Sequence, residues 1–196
     1  MKNTRELLLE KAFFLMLEKG YKGISVSDIQ SAVGLSRGVL YKHFSAKSEL
    51  LMEACRHYFY EKFFPVNDDF KALSLRDFLE LTNKNMSALC KIFAAAKNPK
   101  INILRYNLLY AEVMQNVPEF KSFIAGEMAA MSVVLKNALK RGEISKGLSE
   151  KFVGGVFYDI YCRASSAHGG GDKEIVSQII KDSRGFYRLV AAKAQG

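Results

Sequence analysis

The chain has 196 residues, of which 49% are hydrophobic and 25% are charged, and its formal net charge is +9. These are the proportions of a globular protein with a sizeable core, so they exclude wholesale disorder. No uncharged apolar run approaches the length of about 18 residues that a membrane span needs, and the three cysteines lie far apart. We therefore expect reduced thiols, no membrane partner and a cytoplasmic location.

Apolar residues recur at steps of three and four along nearly the whole chain, which predicts an all-α fold. No alternating run rich in Val, Ile and Thr is flanked by turns, so strands are not expected. Asn67-Asp68-Asp69 is interpreted as a polar linker and His168–Gly171 as a loop. Later helices are predicted from Ser45 or Ser48 to about 60, and over 74–97, 100–115, 118–141, 149–167 and 172–192.

The first 51 residues contain a dense series of helix boundaries. Gly20 should end the first helix in the left-handed conformation. Ser27 should start the next, because its S-x-x-Q spacing with Gln30 predicts a capping box. Gly34 should then turn the chain, and Ser36 should cap a short helix over 37–44. Two short helices joined by a glycine turn form a helix-turn-helix, which can place its second helix in a DNA major groove.

Several residues of this region stand at fixed spacing, and the pattern resembles the TetR family of bacterial transcriptional regulators. The matched positions cover roughly residues 5–51, about a quarter of the chain. They are Ser27, Ile29, Ala32-Val33-Gly34-Leu35-Ser36, Gly38-Val39-Leu40-Tyr41, Phe44, Lys47 and Glu49-Leu50, with Arg5, Ala12, Gly20 and Tyr21 before them. The resemblance implies a DNA-binding domain over 1–47 and a helical effector-binding and dimerisation domain over 48–196.

The same resemblance implies which residues contact DNA. Arg37 could reach a guanine edge or a phosphate, and Lys47 at a helix start could bind a phosphate. Gly38 would let the backbone approach closely. Five basic residues face a single acid, Asp28, between 19 and 47, although each base could also be a solvated surface charge. The predicted contacts are Ser25, Ser27, Arg37, Gly38, Tyr41, Lys42, His43 and Lys47.

The remaining helices carry two larger sets of candidates, for which ordinary core packing is the alternative. Aromatic and methionine side chains could line a pocket for an apolar small-molecule effector. Small and apolar residues of the last two helices could join two copies. The pocket set is Met86, Cys90, Phe93, Tyr106, Tyr110, Met114, Phe123, Met128, Met131 and Tyr158. The interface set is Val153, Gly154, Val156, Phe157, Ile160, Ala164, Ile175, Ile179 and Phe186.

No pattern in the sequence indicates catalysis. The three histidines are widely separated without metal-ligand spacing, and neither a nucleophile elbow nor a phosphate-binding glycine loop is present. We therefore expect no enzyme, no cofactor and no metal. The prediction is a homodimeric repressor that a small molecule releases from a palindromic operator. Two alternatives stay open, a helical protein-interaction module and a regulator without an effector.

Overall fold

The computed structural model describes residues 3–62, 68–167 and 171–192 of the chain. Within these ranges the prediction of an all-α fold is confirmed, and the one β-type pairing is an isolated bridge between Ile144 and Ala191. The helices are α1 Thr4–Lys19, α2 Val26–Val33, α3 Arg37–His43, α4 Lys47–Arg56 with a π-helical turn His57–Glu61, α5 Asp68–Ala72, α6 Leu75–Ala95, α7 Ile103–Asn116, α8 Pro118–Lys140, α9 Glu150–Ala167 and α10 Asp172–Val190.

The chain divides into two compact units. Unit 1 comprises Met1–Phe63 and Asn98–Ser122, and unit 2 comprises Phe64–Lys97 and Phe123–Gly196. Helices α4 and α7 therefore group with α1 to α3, whereas the sequence placed a domain boundary between residues 47 and 48. That boundary divides the chain by role rather than by packing, and it stays a prediction.

Unit 1 is built around one face of α1. Its buried side chains, which include Phe13, recur at the three- and four-residue steps that predicted this helix. The ring of Phe13 stacks on Tyr58 with centroids 4.5 Å apart and meets Phe59 edge-on at 5.5 Å. Aromatic pairs in these geometries stabilise a core beyond their buried area. The result is a rigid support for the short helices α2 and α3.

The start of α2 differs from the prediction. Ser25, not Ser27, is the N-cap, and the capping box pairs Ser25 with Asp28. The Asp28 amide donates to Ser25 Oγ at 3.1 Å, and the Ser25 amide donates to Asp28 Oδ2 at 2.8 Å. A carboxylate accepts more strongly than a neutral amide and is favoured at a helix N-terminus, so Asp28 outcompetes Gln30. The capping-box role of Ser27 and Gln30 was therefore wrong.

Other helix boundaries agree with the sequence in part. Gly20 follows α1 with φ 79° and ψ 163°, so its φ is positive but it lies outside the left-handed helical region that was predicted. Gly34 does adopt the left-handed conformation, with φ 67° and ψ 25°. α4 begins at Lys47 with Ala46 at its N-cap, so its start lies between Ser45 and Ser48, the two starts that were predicted. Ser36 occupies the N-cap position of α3 without a side-chain capping bond.

Unit 2 packs α6, α8, α9 and α10 around a shared apolar core. The predicted cap of α6 is confirmed, since Ser74 Oγ accepts from the Asp77 amide at 3.0 Å. Two of the three residues predicted as a linker, Asp68 and Asp69, begin α5 instead. The third, Asn67, lies outside the described residues, as does His168–Gly170 of the predicted loop. The core side chains are Leu75, Leu79, Leu135, Ala138, Ile144, Val153, Phe157 and Val190.

A search for membrane-spanning helices, limited to the described part of the chain, finds none that is both long enough and apolar enough.

Candidate nucleic-acid interface

Helix α3 is anchored on one face and open on the other. Leu40 of α3 and Phe44, which directly follows α3, are buried within unit 1, as is Ile29 of α2. The predicted contact residues lie on the open surface. Ser25, Ser27, Arg37, Gly38, Tyr41, Lys42 and His43 are all exposed, and Lys47 is half-buried. The structure thus brings the α3 candidates together on one solvent-facing surface.

The side chain of Arg37 rests on the ring of Tyr41. Its guanidinium carbon lies 5.5 Å from the ring centroid, which is the geometry of a cation–π contact. Tyr41 follows Arg37 by four residues, the spacing that aligns side chains on one face of a helix. The pair forms a flat surface with donors at its edge, and a planar guanidinium held this way keeps its hydrogen-bonding fork available to a partner.

Lys47 has a partner within the chain. Its Nζ donates to the carbonyl oxygen of Ile24 at 2.7 Å, which ties the start of α4 to the loop before α2. An ammonium group has three donors, so this bond leaves capacity for a second acceptor. Lys47 therefore positions the loop that carries Ser25, in addition to the phosphate contact that the sequence predicted.

Two acidic side chains in this region are held by local hydrogen bonds. Lys19 and Ser25 keep the pKa of Asp28 well below its usual range, Lys19 being the larger cause, and Lys19 Nζ lies 2.5 Å from Asp28 Oδ1. The hydroxyl and amide of Ser45 lower the pKa of Glu49 in the same way. The ion pair with Lys19 offsets the charge of Asp28, which reduces the repulsion of a polyanion by that carboxylate.

The sequence analysis assigned no role to the side chain of Arg5. In the structure this side chain connects α1 to the end of α3 and to α4. Its guanidinium carbon lies 5.3 Å from the centroid of the Phe44 ring, and it forms an ion pair with Glu53 of α4. It therefore secures the C-terminal end of α3 and the side of α4 to α1. The family spacing marked this position, but a basic residue 39 positions before Phe44 carries no local signal of contact.

The predicted effector residues fall into both units. Tyr106, Tyr110 and Met114 belong to unit 1, where the Tyr110 hydroxyl lies 2.9 Å from the Tyr60 hydroxyl. The other seven belong to unit 2, where Phe93 is buried while Met128 and Tyr158 are exposed. Met86, Cys90, Phe123 and Met131 are half-buried. The pocket assignment stays a prediction.

Most of the predicted interface residues already have intrachain partners. Val153, Phe157, Ile160, Ile175 and Ile179 are buried within unit 2. A Cβ on Gly154 would meet Leu135 at 2.9 Å, so that glycine permits close approach of α8. Val156 and Phe186 are half-buried, and the side chain of Ala164 lies outside those described. The large apolar side chains that unit 2 leaves open on α9 and α10 are Phe152, Tyr158 and Leu189.

A groove between α6 and α10 was missed by sequence reasoning. Its volume is about 500 Å³, and it is lined by Arg76, Leu79, Glu80, Arg184, Tyr187 and Arg188. Arg184 donates to both carboxylate oxygens of Glu80, at 2.9 Å and 2.6 Å. Because α6 and α10 are distant in sequence, no local sequence pattern predicts the groove between them. For metals, the described residues contain no group of three or more His, Cys, Asp or Glu side chains that could hold an ion.

The family model of the bacterial regulatory proteins of the tetR family matches residues 8–54 of the chain. Residues 8–54 are therefore similar to the N-terminal domain of the TetR family. The matched segment contains α2, α3 and almost all of α4, which are the elements that carry the exposed surface described above.

Curated relatives are similar to the chain over short segments. An uncharacterized HTH-type transcriptional regulator, YerO of Bacillus subtilis, is 33% identical over 58 residues, which are 30% of this chain and 20% of the relative. The HTH-type transcriptional repressor AcnR of Corynebacterium efficiens is 37% identical over 54 residues, or 28% and 29%. The chain thus spans less than a third of the length of these relatives.

Solved structures match along the whole chain. A TetR-family regulator from Agrobacterium tumefaciens has a TM-score of 0.66 at 21% identity, covering 96% of this chain and 97% of its own. The TetR regulator TylP from Streptomyces fradiae has a TM-score of 0.71 at 20% identity, covering 97% and 88%. At these identities the likeness shows a shared fold, which extends over both units.

Proposed function

We propose that this protein is a sequence-specific DNA-binding transcriptional regulator of the TetR family that acts as a repressor. The observation that supports this most is the exposed surface of α3. Arg37, Tyr41 and Lys42 face solvent on a helix whose other side is anchored by Leu40 and Phe44. A short helix with a fixed inner face and donors on its outer face suits entry into a major groove.

Recognition would divide between base and phosphate contacts. Arg37, at the first turn of α3, is placed to donate two bonds to a guanine edge. Tyr41, Lys42 and His43 follow along the same helix and would contact phosphates or a thymine methyl group. Lys47 and Ser25 lie beside the helix, where they would fix its register on the backbone.

A second copy of the chain would complete the reading surface. α3 has seven residues and reads only a few base pairs, so two copies on a palindrome would multiply the discrimination. We propose that α9 and α10 form the interface. Phe152 is 53% exposed and Leu189 is 79% exposed, and an apolar partner surface would cover them.

Release from DNA would follow the binding of a small molecule by the helical part of the chain. An effector that prefers a dimer with misplaced reading helices must weaken DNA binding by the same factor. Contacts within unit 1 provide one route, because α7 touches the loop between α1 and α2. The Tyr21 amide donates to Glu112 Oε2 at 3.2 Å, and Lys22 Nζ donates to Asn116 Oδ1 at 3.1 Å.

The test is a selection of bound duplexes from a random DNA library with the full chain, followed by binding at two salt concentrations. We expect a palindromic motif whose affinity falls steeply as salt rises. Sedimentation at micromolar concentration should give a dimer. A pool without enrichment would contradict sequence-specific reading, and a monomer bound to a single half-site would contradict the dimer.

A further inference from the structure

One buried amide in unit 2 has an unsatisfied end. Asn83 of α6 is 3% exposed, and its Oδ1 accepts from the Tyr161 hydroxyl at 2.8 Å and from Ser183 Oγ at 3.1 Å. Its Nδ2 is buried and has no hydrogen-bond partner in the part of the chain that the structure describes. A buried donor without an acceptor is costly, so such a group indicates a role beyond packing.

Rotation of the amide does not remove the problem. Both hydroxyls lie on the same side of Asn83, so turning the group over would exchange an unpaired NH₂ for an unpaired carbonyl. Ser183 also donates to the carbonyl oxygen of Ile180 at 3.0 Å, and its single proton cannot fully satisfy two acceptors. The cluster of Asn83, Tyr161 and Ser183 therefore keeps hydrogen-bonding capacity that the chain itself does not use.

The cluster lies next to the groove between α6 and α10. Leu79 and Glu80, which line the groove, precede Asn83 by one helical turn, and Arg184 directly follows Ser183. The contact between Asn83 and Ser183 therefore joins the same two helices beside the groove, about one helical turn further along α6. Its volume of about 500 Å³ is within the range of small-molecule sites.

The charge of the groove selects the kind of ligand. Three arginines and one glutamate line it, and Glu80 is engaged by both nitrogens of Arg184. Arg76 and Arg188 add positive charge that the lining carboxylate does not balance. Guanidinium groups bind carboxylates and sulfonates through paired donors. The unpaired NH₂ of Asn83, beside the groove, is a further donor that the described chain does not use.

We propose that the groove between α6 and α10 binds a small organic anion. Arg76 and Arg188 would hold its carboxylate or sulfonate, and the neighbouring Asn83 amide would donate to a further acceptor oxygen of the ligand. The site differs from the predicted apolar pocket, since none of the ten pocket candidates lines it. Its regulatory consequence, altered DNA affinity, rests on the proposed function, whereas the binding itself does not.

A fluorescent probe of the right charge tests the site directly. Anilinonaphthalene sulfonate is an aromatic anion, and phenylnaphthylamine is its neutral counterpart with nearly the same rings. Titration of the full chain with each dye should give one saturable site per chain for the anion. The neutral dye should bind more weakly, because it lacks the group that the arginines recognise.

Variants separate the site from general dye binding. Arg76→Gln with Arg188→Gln should weaken binding of the anion by about tenfold or more and leave the neutral dye unchanged. Arg105→Gln, an exposed arginine of α7, is the matched control and should change neither. Asn83→Leu should weaken the anion further, while Thr82→Val, a buried neighbour on α6, should not.

Each result decides the proposal. Absence of saturable anion binding, or equal loss of both dyes in the arginine variant, would overturn it. The arginine substitutions are on the surface, so the test stands even where Asn83→Leu fails to fold, and a thermal melt identifies that case. DNA binding is measured on the same samples, so a protein that binds the anion but no DNA would refute the proposed function alone.

Discussion

Helix α3 and the bundle of α6, α9 and α10 differ in how their candidate residues are placed. On α3, the side chains predicted to contact a partner are exposed, and the apolar ones are buried. In the bundle, Val153, Phe157 and Ile179 were predicted to meet a second copy, and all three are buried within unit 2. Exposed polar residues on a short anchored helix indicate function, whereas apolar residues on a long helix indicate first of all a core.

The comparison is tested most strongly at Phe157, whose ring meets Phe186 edge-on at a centroid distance of 5.0 Å. Phe157→Ala should lower the free energy of unfolding by about 3–5 kcal/mol, because it leaves a cavity in the core. Phe152→Ala, on the same helix but exposed, should leave unfolding almost unchanged and instead weaken dimerisation. Urea denaturation at several protein concentrations measures both effects. Equal stability of the Phe157 variant and the wild type would contradict the assignment of this ring to the core.

Arg37 tests the other side of the comparison. Arg37→Ala should weaken binding to a selected duplex by about 1–3 kcal/mol and relax the preference at one base pair. Arg105→Ala, an exposed arginine on α7, should not change specificity. Titration of both variants with matched and mismatched duplexes gives the result, and the same loss on every sequence would restrict Arg37 to a phosphate contact.

Lys47 combines structure and recognition, so its removal should appear in two measurements. Lys47→Met deletes the bond to the Ile24 carbonyl and should cost about 1 kcal/mol of stability. It should also weaken all duplexes alike and reduce the salt slope by about 1. The exposed Lys42 provides the control, since Lys42→Met should affect DNA binding only. A Lys47 variant with unchanged stability would mean that the bond to Ile24 contributes nothing.

The two serines before and inside α2 distinguish the observed cap from the predicted one. Ser25→Ala removes the N-cap oxygen and should lower stability by about 1 kcal/mol. Ser27→Ala lies within the helix and should change stability by less than about 0.5 kcal/mol. Thermal unfolding of the two variants provides the measurement. A larger loss of stability in Ser27→Ala than in Ser25→Ala would instead support the predicted capping box of Ser27 with Gln30.

His57 should produce the smallest effect, a pH dependence of stability. Burial, and then the charge of Lys62, lower the pKa of His57 from its ordinary value of 6.5, so the folded state prefers the neutral ring. The stabilisation is then complete above pH 6.5 and is lost as the pH falls below it, because the unfolded state binds the proton more tightly. His57→Gln should flatten the stability between pH 7.5 and 5.5, approximately the range around that pKa. An unchanged slope would contradict the assignment.

The recognition region was largely predictable because its signals are local. Gly34, Leu40 and Phe44 are separated by a few residues, and their spacing predicts the turn and the buried face. The errors arose where two local solutions compete, as at Ser25 and Ser27, since each has a polar residue three positions later. The energy difference between a carboxylate and an amide partner decides such cases, and a pattern match does not weigh it.

The sequence by itself determined the all-α class, the helix-turn-helix and the exposure of Arg37, Tyr41 and Lys42, because periodicity and turn residues act within a few positions. Only the tertiary structure decided that Phe157 is core, that Lys47 binds the Ile24 carbonyl, and that Asn83 lies beside an arginine-lined groove. Those facts depend on which helices pack together. Contacts between residues about a hundred positions apart, such as Asn83 with Ser183, leave no periodic trace in the sequence.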